Sequence, residues 1–205
     1  YGHRVDKMLI REPLAIKMAM GENPKNSYHE KEQGPATRMA IAALIREELS
    51  KARQYAKQCA EAAGDEDIDE PDYDAKCEAL LPLLNHRIKA HIHAHRADDI
   101  FTAMRLAKEF DFDYVIVHGT EGHLFAEDLA EEGVSVLTGP LIGSRTKPEL
   151  VNAKLAGVGI LEKAGVHVAI TTDHPEVPCH FLLMSAQLAV QEGMNPDAAL
   201  RAITS

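Results

Sequence analysis

Four Val- and Ile-rich stretches open near residues 88, 113, 134 and 166, and each interval between them carries one helical pattern. Parallel strands need a crossover of a dozen or more residues, usually a helix, whereas antiparallel neighbours need only a turn. The rhythm therefore predicts parallel βαβ units, with strands at 88–94, 113–118, 134–138 and 166–172 and helices at 97–110, 122–132 and 147–164. Little polar residue interrupts these strands, as expected where helices cover a sheet. Upstream, PLAIKMAM at 13–20 reads as a further buried strand closed by a turn-like GENP at 21–24. From Pro35 a long helix follows, with Met39, Ile41, Ala42, Leu44, Ile45 and Leu49 along one face. The acidic GDEDIDEPDYD at 64–74 reads as a solvated loop, and a second helix covers roughly 73–85. The fold class is α/β, either an open doubly wound sheet or part of a (β/α)8 barrel.

In such folds chemistry collects where parallel strands end. The strand at 88–94 runs out through His93-Ala94-His95, that at 113–118 ends in His118, and that at 166–172 is followed by Asp173-His174-Pro175. Imidazoles and a carboxylate arriving from three strand ends form a candidate set for a divalent metal: His93, His118 and Asp173. Side chains alternate along a strand, so His91, His93 and His95 share one face and Ala90, Ile92 and Ala94 the other. His91 is expected deepest, His93 near the rim as the ligand, and His95 just beyond it within reach of a substrate. Asp173 has a second reading as the N-cap of a following helix. Loop residues Ser144 and Arg145 are candidates for substrate selection, and His123 and His180 for structural or substrate-facing roles.

Composition removes other classes. With 32 acidic against 22 basic residues, a formal charge of −10 and no basic run, nucleic acid is not an expected partner. No apolar stretch approaches the roughly 20 residues of a bilayer span, and the polar start YGHRVDK is unlike a signal peptide. Cys59, Cys77 and Cys179 show no CxxC spacing, so reduced thiols and a cytoplasmic address are expected. At 205 residues and 45% hydrophobic, the chain can bury one sizeable core. It opens on Tyr1 and closes inside a helical pattern, so it reads as a piece of something longer.

IHAHRADD at 92–99, VHGTEGH at 117–123 and TTDHPEVP at 171–178, with GENPK and ATRMA upstream, resemble the amidohydrolase superfamily, specifically its imidazolonepropionase-like and prolidase-like branch of metal-dependent hydrolases. The resemblance implies a TIM-type (β/α)8 barrel with a His-x-His pair on the first strand, a His on the fifth, a His on the sixth and an Asp on the eighth. Only two strand candidates separate 88–94 from 166–172, so the His-rich strand corresponds to the fifth and PLAIKMAM to the fourth. A single domain over 1–205 is then a partial barrel of about five βα units that lacks the first three strands. Open edges of parallel strands invite pairing with another chain, so a homo-oligomer is expected. Imidazolonepropionases carry an acidic residue soon after the fifth-strand His, where this chain has His95-Arg96, which argues against an imidazolone substrate.

By this resemblance the chain is a metal-dependent hydrolase of C–N bonds in a small-molecule amide, cyclic amide or dipeptide. The metal is zinc, with iron, cobalt or manganese as alternatives. Asp173 and His118 are implied as catalytic, and His95, Arg96, His123, His174 and Arg145 as substrate-binding. An isomerase or decarboxylase on the same barrel, or an inactive half-barrel serving assembly or binding, are the alternatives.

Overall fold

Each strand of the sheet lies beside the one before it in sequence. The structure, a computed structural model describing residues 3–143 and 145–204, has strands β1 (Ala15–Ala19), β2 (Lys89–Ala94), β3 (Tyr114–His118), β4 (Ser135–Thr138) and β5 (His167–Ile170). All four pairings are parallel, in the order β1-β2-β3-β4-β5. A doubly wound sheet reverses its strand order at a switch point, whereas a β/α barrel winds in one direction. The unreversed order therefore selects the partial TIM-type barrel over the open doubly wound alternative.

Helices α1 (Glu22–His29), α2 (Arg38–Gly64), α3 (Ala75–Leu84), α4 (Ala97–Phe110), α5 (Ala126–Glu131), α6 (Gly157–Lys163), α7 (Leu182–Gln191) and α8 (Pro196–Arg201) complete the described chain. On β2 the alternating set Ala90, Ile92 and Ala94 is at most 2% exposed. It packs in one cluster with Ile100, Ala103 and Leu106 of α4 and with Ile116 and Val136 of the next two strands. Full burial of each such Ile or Leu contributes roughly 1.5–3 kcal/mol. The apolar face of the sheet thus meets the helices, leaving the His face of β2 on the other side. His91 departs from its expected place: it is half-buried, not the deepest of the three, and its register partner on β1 is the exposed Lys17.

Three segments differ from the sequence reading, the first being the helix expected over 122–132, which is a 3-10 turn, Gly122–Leu124, followed by the short α5. GENP does not merely close β1, because α1 begins at Glu22, directly after Gly21 turns the chain with φ 78°. Pro24 falls in the first helical turn, where its missing N–H costs nothing. The segment expected as one helix over 147–164 is broken: a single 3-10 turn, Pro148–Leu150, precedes an irregular stretch and α6 starts only at Gly157. That turn carries Glu149 inward, to 0% exposure.

Candidate metal centre

Backbone bonds between neighbouring strands fix the rim on which the site stands. Met20 N–H donates to His93 O at 2.9 Å, Gly119 N–H to Ala94 O at 2.9 Å, and Glu121 N–H to His95 O at 2.9 Å. His93, on the non-helix face, and His95, one alternation further on, are 7% and 6% exposed. His118 reaches them by a different route. In register it lies beside Ala94, whose side chain is on the helix face, so regular alternation would turn the imidazole away from the other two. Its φ of 75° lies in the left-handed region, and the ring comes to rest 4.6 Å, centre to centre, from both His93 and His95. Such a conformation costs a non-glycine residue about 1–3 kcal/mol and is concentrated at functional sites. Asp173, with φ 52°, repeats the device at the end of β5.

The ligand atoms of His93, His95 and His118 lie within 4.8 Å of one another. Burial pushes the pKa of His93 down to about 3 and that of His95 to about 2, and also lowers His118. Near neutral pH these rings are uncharged and hold free lone pairs, the form in which imidazole binds a metal. Hydrogen-bond partners locate two of those lone pairs. The carbonyl oxygen of Gly139, 2.6 Å from His118 Nδ1, can only accept, so Nδ1 carries the proton and Nε2 the lone pair. Asn23 stands 3.3 Å from His93 Nε2 through its Nδ2, while its Oδ1 accepts from Lys147 Nζ at 2.8 Å. An ammonium only donates, which fixes the amide orientation and makes His93 Nε2 an acceptor. The donor set therefore suits a divalent cation: His118 presents a free Nε2 lone pair, and that of His93, which accepts from Asn23, would pass to a metal on release of the amide.

Of the other residues singled out in the sequence, Asp173 stands at the rim with a half-exposed side chain, its Oδ2 4.0 Å from His118 Nε2. His123 is buried, donates through Nδ1 to Thr120 O at 3.0 Å, and lines with His118 a cavity of about 50 Å³. Its Nε2 is buried without a partner. Arg96 is exposed and turns to Asp98 at 3.0 and 3.1 Å. Arg145 donates to Ala153 O at 2.6 Å, and His174 and His180 are exposed. Ser144 lies outside the described residues.

The structure adds residues the sequence reading passed over. Asn23, from the first turn of α1, reaches His93, and Lys147, from the loop after β4, donates to Asn23. Glu149 places Oε1 3.7 Å from His95 Nε2 and accepts from Glu22 N–H at 3.0 Å through Oε2. Gly21 separates Glu149 from Asp99; a Cβ there would lie 2.8 Å from Glu149 Oε2 and 2.9 Å from Asp99 Oδ2. Asp99 is held by Arg38 at 3.0 Å. Burial raises the pKa of both carboxyls, against the pull of the Arg38 guanidinium on Asp99 and of the Glu22 N–H on Glu149.

Comparison with solved structures finds a crystal structure of an amidohydrolase from Thermotoga maritima MSB8 at 39% identity and TM-score 0.95, the match covering 100% of this chain and 53% of that one. The chain thus spans about half the length of the protein it resembles. This similarity supports the amidohydrolase superfamily, which the sequence motifs resemble. No family model matches the chain, and no curated protein matches it. Among the described residues no helix is long and apolar enough to cross a membrane.

Proposed function

We propose that this chain carries part of the metal site of a hydrolase acting on C–N bonds of small amides, cyclic amides or dipeptides, in the imidazolonepropionase-like and prolidase-like branch of the amidohydrolases. The observation that carries the reading is the buried His93–His95–His118 cluster, whose ligand atoms converge and in which His118 Nε2 is kept unprotonated by Gly139 O. Its similarity to a protein described as an amidohydrolase supports it further.

In this reading His93, His118 and Asp173 hold a divalent cation, zinc first and iron, cobalt or manganese as alternatives. A bound cation supplies Lewis acidity, lowering the pKa of a coordinated water to about 7. Asp173, at the mouth of the site and half-exposed, is placed to take a proton from the attacking water and return it to the leaving nitrogen. His118 is held by Gly139 O so that its Nε2 stays unprotonated. His95, His123, His174, Arg96 and Arg145 bind the substrate. A cytoplasmic homo-oligomer completes the reading.

The test is metal analysis of the purified chain combined with a hydrolysis screen of N-acyl amino acids, cyclic amides and dipeptides. Stoichiometric zinc, with turnover lost in His93→Ala and Asp173→Asn, is the expected result. No bound metal, or turnover indifferent to both substitutions, would overturn it. Metal retained without any turnover favours the binding-module alternative instead.

A further inference from the structure

Thr120 Oγ1, 2.7 Å from His95 Nδ1, leaves the proton of that ring undecided, because a hydroxyl either donates or accepts. The deciding group is on the other side. Glu149 is fully buried, and its Oε2 is occupied by the Glu22 N–H. Its Oε1 is buried with no hydrogen-bond partner, and the nearest ring nitrogen, His95 Nε2, stands 3.7 Å away, within ion-pair reach though longer than a formed hydrogen bond. A buried carboxylate oxygen left without a donor loses its hydration uncompensated. An N–H at His95 Nε2 is the donor that the geometry offers.

We infer that Glu149 is a positioning residue that keeps the proton of His95 on Nε2, with Thr120 donating to Nδ1. His95 then directs its N–H at Glu149 and offers the site no lone pair, and the imidazole ligands are His93 and His118 alone. This rests on the metal-site reading above for its functional meaning, but the tautomer itself does not depend on it. It separates three side chains that look equivalent by distance: two present lone pairs and one presents an N–H. The arrangement also gives a role to the break in the helix expected over 147–164, since only the inward 3-10 turn brings Glu149 to His95.

Long-range 1H–15N imidazole spectra of the chain, recorded without metal and with His95 assigned through His95→Gln, read the tautomer directly. In the wild type Nε2 is expected to be the protonated nitrogen, and Thr120→Val should leave it so. Glu149→Gln is the decisive variant. The Glu22 N–H needs the amide oxygen, so the amide NH2 must face His95 Nε2 and the proton should move to Nδ1. A wild-type ring protonated on Nδ1, or a tautomer unmoved by Glu149→Gln, overturns the assignment. Zinc titration supplies a second readout. Outer partners of a ligand are alone worth roughly 10–100-fold, so His93→Ala and His118→Ala should each weaken zinc by at least about tenfold. His95→Gln should weaken it less than about threefold, and an equal loss for all three would make His95 a ligand and sink the inference. Failure of the wild type to bind zinc would count against the metal reading, while the tautomer still decides the role of Glu149.

Discussion

Acidification should destabilise this chain through its histidine cluster, and the size of the effect follows from two pKa values. In the unfolded chain His93 and His95 titrate near 6.5, whereas in the folded site they are pushed down to about 3 and about 2. Below pH 6.5 the unfolded chain takes up protons that the folded site refuses, so folding stability is full above that pH and falls as the pH drops towards the folded values. One pH unit below 6.5, at pH 5.5, each ring costs about 1.4 kcal/mol, and the pair costs about 3 kcal/mol. That is a large fraction of the roughly 5–15 kcal/mol of a typical domain. Glu149 and Asp99 act with the opposite sign, because their raised folded pKa values favour the folded state as protons bind. The clean measurement is therefore differential: urea unfolding at pH 7.5 and 5.5 with a chelator present, wild type against His95→Gln. The wild type should lose about 1.4 kcal/mol more than the variant over this interval. Equal losses would show that burial does not hold His95 neutral, and the reasoning from its depressed pKa would fail.

Three further outcomes are expected. Gly21→Ala forces a side chain into a left-handed turn and against Glu149 and Asp99, which should cost about 1–3 kcal/mol and lower the thermal midpoint measurably by calorimetry. Ile116→Ala, at a position with 0% exposure in the middle of the sheet, should cost about 2–5 kcal/mol in denaturant unfolding. Zinc at about 100 times its dissociation constant should stabilise the wild type by about 2.7 kcal/mol, raising its thermal midpoint, and at the same concentration should stabilise His93→Ala, weakened about tenfold or more, by no more than about 1.4 kcal/mol.

The parallel winding was legible because its signal is repeated: four apolar stretches at crossover spacing leave few alternatives. His93 and His95 were legible for the same kind of reason, since period-two alternation places them opposite the apolar Ala90, Ile92 and Ala94. His118 shows the limit of that rule. It follows Ile116 at an interval of two and would share its helix-facing side by alternation; only the left-handed backbone at the strand end turns it into the site. The motif located the residue where periodicity would have misdirected its side chain. Asn23 and Glu149 carry no local signal of either kind. Each sits in a polar, proline-containing segment that looks like a surface turn, GENP or TKPEL, and its place in the site is decided by contact with residues far along the chain, His93 70 positions from Asn23 and His95 54 from Glu149.

The site's chemistry is prepared by groups that do not themselves touch a metal. A cluster of three close imidazoles would repel itself if charged, and burial alone keeps the rings neutral without saying where their lone pairs point. Direction comes from partners of fixed character: a carbonyl that only accepts on His118, and an amide oriented by an ammonium on His93. Those partners belong to the loops after β4 and β1, so the same segments that close the strand ends also set the proton positions. Removing such a partner should therefore leave the fold and the ligand residues in place while redirecting a lone pair. This separates them from the core residues, whose loss unfolds the sheet, and from the ligands, whose loss removes a donor atom outright.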